Sequence, residues 1–265
     1  MDLILLFKAF ILGLVEGATE FLPISSTGHL IIAGDLLSFN DDKGKVFEIV
    51  IQLGAILAVC WEYRAKIGHV ATNAFTEQVS QRLIVNLALA FMPAALIGLT
   101  FHQQIKDYLF TPFTVAFALI IGGVAILVIE RFAPQPDTQT VDDMDWKHAL
   151  KIGFAQTTSL IPGISRSGAT ILGGVVFGLS RRAATEFSFF LAIPIMFAAS
   201  LFEMYSYRNM LSMQDINIFA LGFITAFFSA LIVIKGLLRY VARHDFKAFA
   251  WYRIIFGIAV LLYYW

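Results

Sequence analysis

Six apolar stretches decide what this 265-residue chain can fold into. They run over about residues 46–61, 83–101, 113–129, 187–202, 216–234 and 248–265. With flanking residues, each reaches the roughly 20 residues that carry a helix across a bilayer. Charged residues make up 14% of the chain, against roughly 25% in soluble domains. Apolar residues reach 58%, Phe alone contributing 26 positions, and so few charges could not cover a water-facing exterior. The expected class is therefore an all-α integral membrane protein, since a helix closes its own backbone hydrogen bonds in lipid. With 19 Lys+Arg balancing 19 Asp+Glu and no basic cluster, the charge pattern argues against nucleic acid as a partner. The single cysteine, Cys60, lies in an apolar run, which excludes a disulfide framework and a multi-Cys metal site. Asp2 stands where a secretory leader would be basic, so residues 3–15 are read as part of the fold.

Two further apolar regions are interrupted. Residues 3–22 lead into Pro23-Ile24-Ser25-Ser26-Thr27-Gly28-His29 and then 30–37; residues 149–161 lead into Pro162-Gly163-Ile164-Ser165-Arg166-Ser167-Gly168 and then 169–179. In each case the second arm is too short to span as a helix, which predicts a re-entrant hairpin. Irregular backbone at that depth is tolerated only where it lines a cavity or packs on protein; loops lying at the surface are the alternative. Two hairpins that return to their own sides leave three crossings per half, so the second must enter from the opposite face. That arrangement is an inverted-topology repeat, within one membrane domain over 1–265, the first repeat covering about 1–133 and the second about 146–265. A shift of 140 positions places Ser25-Ser26-Thr27-Gly28 on Ser165-Arg166-Ser167-Gly168, Ile24 on Ile164 and Glu16 on Gln156. A glutamate, Glu48 or Glu186, is expected to open the next helix of each half.

Basic residues set the expected orientation. Arg64, Lys66, Arg82, Arg131, Lys147, Arg181, Arg182, Arg239, Arg243 and Lys247 fall on one face and Lys43, Lys45, Lys106 and Arg208 on the other. The richer set is assigned to the cytoplasm, which turns both termini and the mouth of the first hairpin outward.

Ionisable groups in apolar surroundings are costly and point to function. Glu16 and Glu20 lie four apart, on one helix face. Two such carboxylates repel unless a cation or basic group sits between them. A hard divalent ion, Mg²⁺ or Ca²⁺, suits oxygen ligands; pairing with Arg or backbone donors is the alternative. Ser25, Ser26 and Thr27 precede a short helix whose N-terminus they either cap or help to aim at an anion. His29 reads equally as packing residue or proton carrier. In the second loop Ser165, Ser167 and Thr170 offer hydroxyls, while Gly163 and Gly168 allow close backbone approach. Arg166 can bind phosphate oxygens bidentately and stays charged in a dry site, so it requires an acidic or phosphate partner. Together the loops look like a phosphate pocket facing a lipid-accessible interior.

The string Gly13-Leu14-Val15-Glu16-Gly17-Ala18-Thr19-Glu20-Phe21-Leu22-Pro23-Ile24-Ser25-Ser26-Thr27-Gly28-His29-Leu30 resembles the first signature of the undecaprenyl-diphosphate phosphatase family linked to bacitracin resistance. Pro162 to Thr170, with Glu186-Phe187-Ser188-Phe189, resembles its second. The resemblance implies a phosphoric anhydride hydrolase that converts undecaprenyl diphosphate to the monophosphate and renews the carrier lipid for peptidoglycan and other envelope polymers. It further implies a bacterial inner-membrane location, a pocket open to the periplasmic side, a divalent cation, and the interlocked inverted repeat. Polyprenyl diphosphate and membrane lipids are the expected partners, with a homodimer as a candidate assembly.

Lipid phosphatases of the acid-phosphatase type have a Pro-Ser-Gly-His motif to which Ser26-Thr27-Gly28-His29 is similar, but their flanking Lys/Arg and Arg/His/Asp motifs have no match here. A polyprenyl-phosphate transporter is the alternative of another class, since broken helices in inverted repeats also build carriers. For the hydrolase, Ser26 is the expected nucleophile, His29 the proton carrier or Glu20 the base, and Arg166 the diphosphate clamp. Ser25, Thr27, Ser165, Ser167, Gly168 and Thr170 would bind substrate, and Glu16 and Glu20 a divalent cation.

Overall fold

A computed structural model describes residues 3–39, 42–206 and 216–265, which are helical almost throughout. Arg208 and Asp2, used in the sequence reading, lie outside this set, as do the side chains of Lys43 and Lys106. Two half-length helices, α1 (Leu3–Thr19) and α2 (Ser26–Leu36), precede α3 (Asp42–Glu62). Next come α4 (Arg64–Thr72), α5 (Gln78–Thr100), α6 (His102–Leu109) and α7 (Pro112–Phe132). The second half repeats the order, with short α8 (Trp146–Thr157) and α9 (Arg166–Val176) before α10 (Arg181–Ser206), α11 (Ile216–Val241) and α12 (Lys247–Tyr264). Six of these helices are long and apolar enough to cross a membrane, within Gly44–Glu62, Gln78–Thr100, Pro112–Phe132, Arg181–Ser206, Ile216–Val241 and Lys247–Tyr264. The protein is an all-α, multi-pass membrane protein.

All six expected spans are present, but several are longer than their apolar windows. Helix α10 begins at Arg181 and α3 at Asp42, so Glu186 and Glu48 sit in the second turn rather than opening their helices. Polar residues continue a helix readily once the apolar part has nucleated it. Helices α4 and α6 carry no long apolar run and were invisible to a hydropathy reading.

Each half's leading segment packs on a helix of the other half. Helix α1 lies parallel to α11, and the seam is built from small residues. A Cβ on Gly13 would fall 2.5 Å from the Gly222 carbonyl oxygen, and one on Gly17 would fall 2.0 Å from Ser229 Oγ and 2.3 Å from the Ala226 oxygen. Helix α8 lies parallel to α5 in the same way, with a Cβ on Gly153 falling 2.8 Å from the Ala90 oxygen. Gly13 and Gly153 are equivalent under the 140-residue shift. Helices α7 and α12 run antiparallel, with Gly123 against the Ala250 carbonyl and Gly257 against the Ala116 carbonyl. Small residues allow backbones to approach where lipid provides no hydrophobic drive for association. Gly17→Ala should therefore pry α1 from α11 and cost about 1–3 kcal/mol, the usual range for overpacking. Thermal unfolding in detergent checks this; an unchanged midpoint would show that the seam is looser than described.

The segment joining the halves is pinned rather than free. Asp137 and Thr138 donate their N–H groups to the Gly178 carbonyl at 3.0 and 3.2 Å, and Ser180 N–H donates to the Thr138 carbonyl at 2.9 Å. Nearby, the buried Glu130 carboxylate pairs with Arg181 and accepts from the Phe246 N–H, tying α7, α10 and α12 together.

Candidate active site

The two broken segments meet tip to tip. Between α1 and α2 the chain turns through Glu20–Ser25, and Ser25 adopts a left-handed φ of 72°. A non-glycine residue held there costs on the order of 1–3 kcal/mol, which the surrounding contacts must offset. The second tip turns at Gly163, φ 93°. A Cβ there would also fall 2.6 Å from the Val115 carbonyl oxygen, so both the conformation and the packing require glycine.

Equivalent serines cap the two short helices. Ser25 Oγ accepts from the Gly28 N–H at 3.5 Å, and Ser165 Oγ from the Gly168 N–H at 3.0 Å. Ser167 Oγ then reaches across and donates to the Leu22 carbonyl at 2.7 Å, with Ser165 Oγ also 3.3 Å from that oxygen. These contacts lock the second tip onto the first.

The convergence centres on Glu20. Its carboxylate is largely buried; Oε1 accepts from Arg166 Nη2 at 2.9 Å and Oε2 accepts from the Ser26 hydroxyl. Arg166 Nη1 donates to the Ser188 carbonyl at 3.2 Å, Nη2 lies 3.2 Å from Met196 Sδ, and the guanidinium sits 5.8 Å from the Phe21 ring centroid. The acidic partner that a buried Arg166 requires is thus Glu20, from the opposite half. A cavity of about 150 Å³ opens over this cluster. Its walls are Glu20, Ser25, Ser26, Thr27, Ser165 and Arg166 from the tips, with Gln52, Ser159, Ile195, Met196 and neighbours from the surrounding helices. Sites that engulf drug-sized ligands are larger, roughly 300–1,000 Å³.

The remaining sequence candidates lie around this cavity rather than on its wall. Thr170 Oγ1 is buried against Ser188 Oγ at 2.6 Å and the Arg166 carbonyl at 3.0 Å. Ser167 is spent on Leu22 and Ser165, and Gly168 packs beneath the tip. His29 Nδ1 lies 2.7 Å from the Ser25 carbonyl, which can only accept, so Nδ1 carries the proton. Its Nε2 is 2.7 Å from the Tyr252 hydroxyl, and the ring stacks on Phe256 at 4.2 Å. Glu16 is 2% exposed, and its Oε2 meets no hydrogen-bond donor among the described residues. Gln52, Ser159 and Met196 went unremarked in the sequence. Gln52 alone gave a signal there, as a polar residue inside an apolar span.

Among the described residues no cluster of three or more His, Cys, Asp or Glu side chains could hold a metal ion unaided. One buried carboxylate oxygen of Glu16 is left without a donor, the single free oxygen that a hard cation keeping its waters and sharing phosphate oxygens would use there.

A profile of the family described as bacitracin resistance protein BacA matches residues 9–259. The undecaprenyl-diphosphatase of Nitrosospira multiformis is 62% identical over 262 residues, covering 99% of this chain and 96% of that protein. That of Methylobacillus flagellatus is 61% identical over 270 residues, covering both chains in full. That of Cupriavidus necator is 54% identical over 282 residues, covering 99% of this chain and 96% of its own.

Proposed function

The chain belongs to the bacitracin resistance protein BacA family, and we propose from that premise that it is an undecaprenyl-diphosphatase, releasing inorganic phosphate and the monophosphate of the carrier lipid. The observation that carries this reading is the meeting of a hydroxyl, a carboxylate and a guanidinium on one small cavity within a bundle of membrane helices. A pure carrier needs no nucleophile held against a base.

Ser26 Oγ attacks the terminal phosphorus and passes its proton to Glu20. The P–O bond of the anhydride breaks, undecaprenyl monophosphate leaves, and a phosphoserine remains. Glu20 hands that proton to the oxygen of the departing monophosphate and, ionised again, takes one from water, which attacks that phosphorus. As the P–O bond to Ser26 breaks, Glu20 returns this proton to Ser26 Oγ and phosphate departs. Arg166, held at the cavity wall by Glu20 and the Ser188 carbonyl, brings its positive charge and its remaining N–H groups to the reacting phosphoryl oxygens, the positioning and charge stabilisation on which phosphoryl transfer depends. The contact between Ser26 and Glu20 favours Glu20 as the base. His29 works on Ser26 through the Ser25 carbonyl that it holds. Glu16 and Glu20 would bind a divalent cation, which when bound offsets the negative charge of the diphosphate.

The two tips enter from opposite faces in this reading. Support comes from helix directions: α1 is parallel to α11, α8 to α5, and α7 antiparallel to α12. Consecutive spans cross in opposite senses, so α5 opposes α11 and α1 opposes α8, as an inverted repeat requires. The excess of basic residues on one side then orients the cavity toward the periplasm, in the inner membrane.

The protein purified in detergent should release phosphate from a polyprenyl diphosphate. A chelator should stop the reaction and added Mg²⁺ or Ca²⁺ should restore it. Absence of phosphate release under metal-replete conditions would overturn the assignment, and full activity in chelator would remove the cation from it.

A further inference from the structure

We infer that Arg253, in the middle of α12, is a positioning residue that holds the two loop tips at the separation the phosphatase centre needs. It is 2% exposed, among the largest fully buried side chains of the protein, and has no carboxylate partner among the described residues. Its guanidinium instead donates to four carbonyls. Nε lies 3.3 Å from the Leu119 oxygen, Nη1 3.3 Å from that of Pro23, and Nη2 3.0 Å from those of Ala118 and Gly163.

The choice of carbonyls is informative. Pro23 and Gly163 are equivalent under the 140-residue shift, one at each tip. Pro23 lies midway between Glu20 and Ser26, and Gly163 precedes Arg166 by three residues. One cation therefore grips the same point of both loops, three residues from each reacting group. It can do so because it stands near a local two-fold axis: Leu119 and Arg253 fall midway between the reciprocal contacts Gly123–Ala250 and Ala116–Gly257. The equivalent place on α7 is an apolar Leu119.

The surroundings are cut to fit it. A Cβ on Gly122 would fall 2.1 Å from Nη2 and 2.6 Å from Cζ. The preceding residue, Tyr252, bonds His29, so adjacent residues of α12 support both tips and the imidazole. A buried charge is expensive even when its hydrogen bonds are made, and an apolar residue of similar volume often stabilises as well. Retaining arginine here supplies what a leucine cannot, a rigid planar fork that sets the distance between two carbonyls. Arg253 does not line the cavity, so it acts through the loops and not on substrate.

The activity readout rests on the phosphatase reading, so the test pairs it with one that does not. Full-length Arg253→Lys and Gly122→Ala are purified in detergent, the second displacing the guanidinium while keeping its charge. In folded protein kcat should fall about tenfold to a hundredfold, the cost of misplacing reacting groups by about an ångström, while KM stays near that of the wild type. Hydrogen exchange should rise in peptides covering 20–30 and 160–170 and stay unchanged in α10 and α11. Wild-type kcat in either folded variant would overturn the proposal. A uniform rise in exchange, with activity lost only in proportion to unfolded protein, would also overturn it. If Arg253→Lys does not fold, Gly122→Ala decides. If the wild type releases no phosphate, the function reading fails and the exchange pattern still tests the grip on the tips.

Discussion

Ser26→Ala should lower turnover on the order of a thousandfold or more, the scale on which enzymes respond to loss of an activated nucleophile. The hydroxyl already donates to Glu20 Oε2, and it sits on the cavity wall beside Arg166. Its position is built by the strained Ser25 before it, whose Oγ accepts from the Gly28 N–H. Removing one oxygen leaves those supports intact, so folding and substrate affinity should be retained while chemistry fails. Rapid quench with a polyprenyl diphosphate labelled at the terminal phosphate should trap labelled protein in the wild type and none in the variant. A loss of only about tenfold, with no trapped phosphoenzyme in either protein, would mean that water attacks directly and Ser26 merely donates a hydrogen bond. Glu20→Gln should then be the more damaging change, which the same two assays would reveal.

The membrane class and both loops were legible in the chain because each is a local signal. An apolar run long enough for a bilayer is read in one dimension, and Pro, Gly and Ser between short runs mark a break. Glu20, Ser26 and Arg166 stood out for the same reason, as polar groups where lipid forbids them. Which hydroxyls face the cavity was not legible. Ser167 and Thr170 are three apart and share a helical face; that face turns inward to Leu22 and Ser188, while Arg166 points to the cavity. Nothing in a nine-residue string distinguishes those faces. Arg253 was missed for a different reason. Inside the stretch 248–265 it was a single charge in an apolar window, and its meaning depends on the antiparallel pairing of α12 with α7 and on two carbonyls far away in sequence. Gln52 and Ser159 likewise join the site through tertiary packing.

Arg166→Lys should slow turnover about a hundredfold, the effect of losing a charge-assisted contact of about 3 kcal/mol. Charge alone predicts a much milder result, since lysine keeps it. The difference lies in shape. Two nitrogens of one planar group meet Glu20 and the Ser188 carbonyl at 2.9 and 3.2 Å, and the plane lies near Phe21. A lysine ammonium is a compact point charge that reproduces neither the spread nor the bidentate grip on a phosphoryl group. Two assays separate the roles of this residue. If the fork acts mainly on the transition state, kcat and kcat/KM should drop together with KM little changed; if it mainly holds the ground-state diphosphate, KM should rise and kcat persist. Thermal unfolding should show only a small shift, because lysine still places a cation beside Glu20. Near-normal kinetics in a well-folded Arg166→Lys would show that the guanidinium pairs with Glu20 for stability alone, and the phosphate clamp would have to be sought elsewhere on the cavity wall.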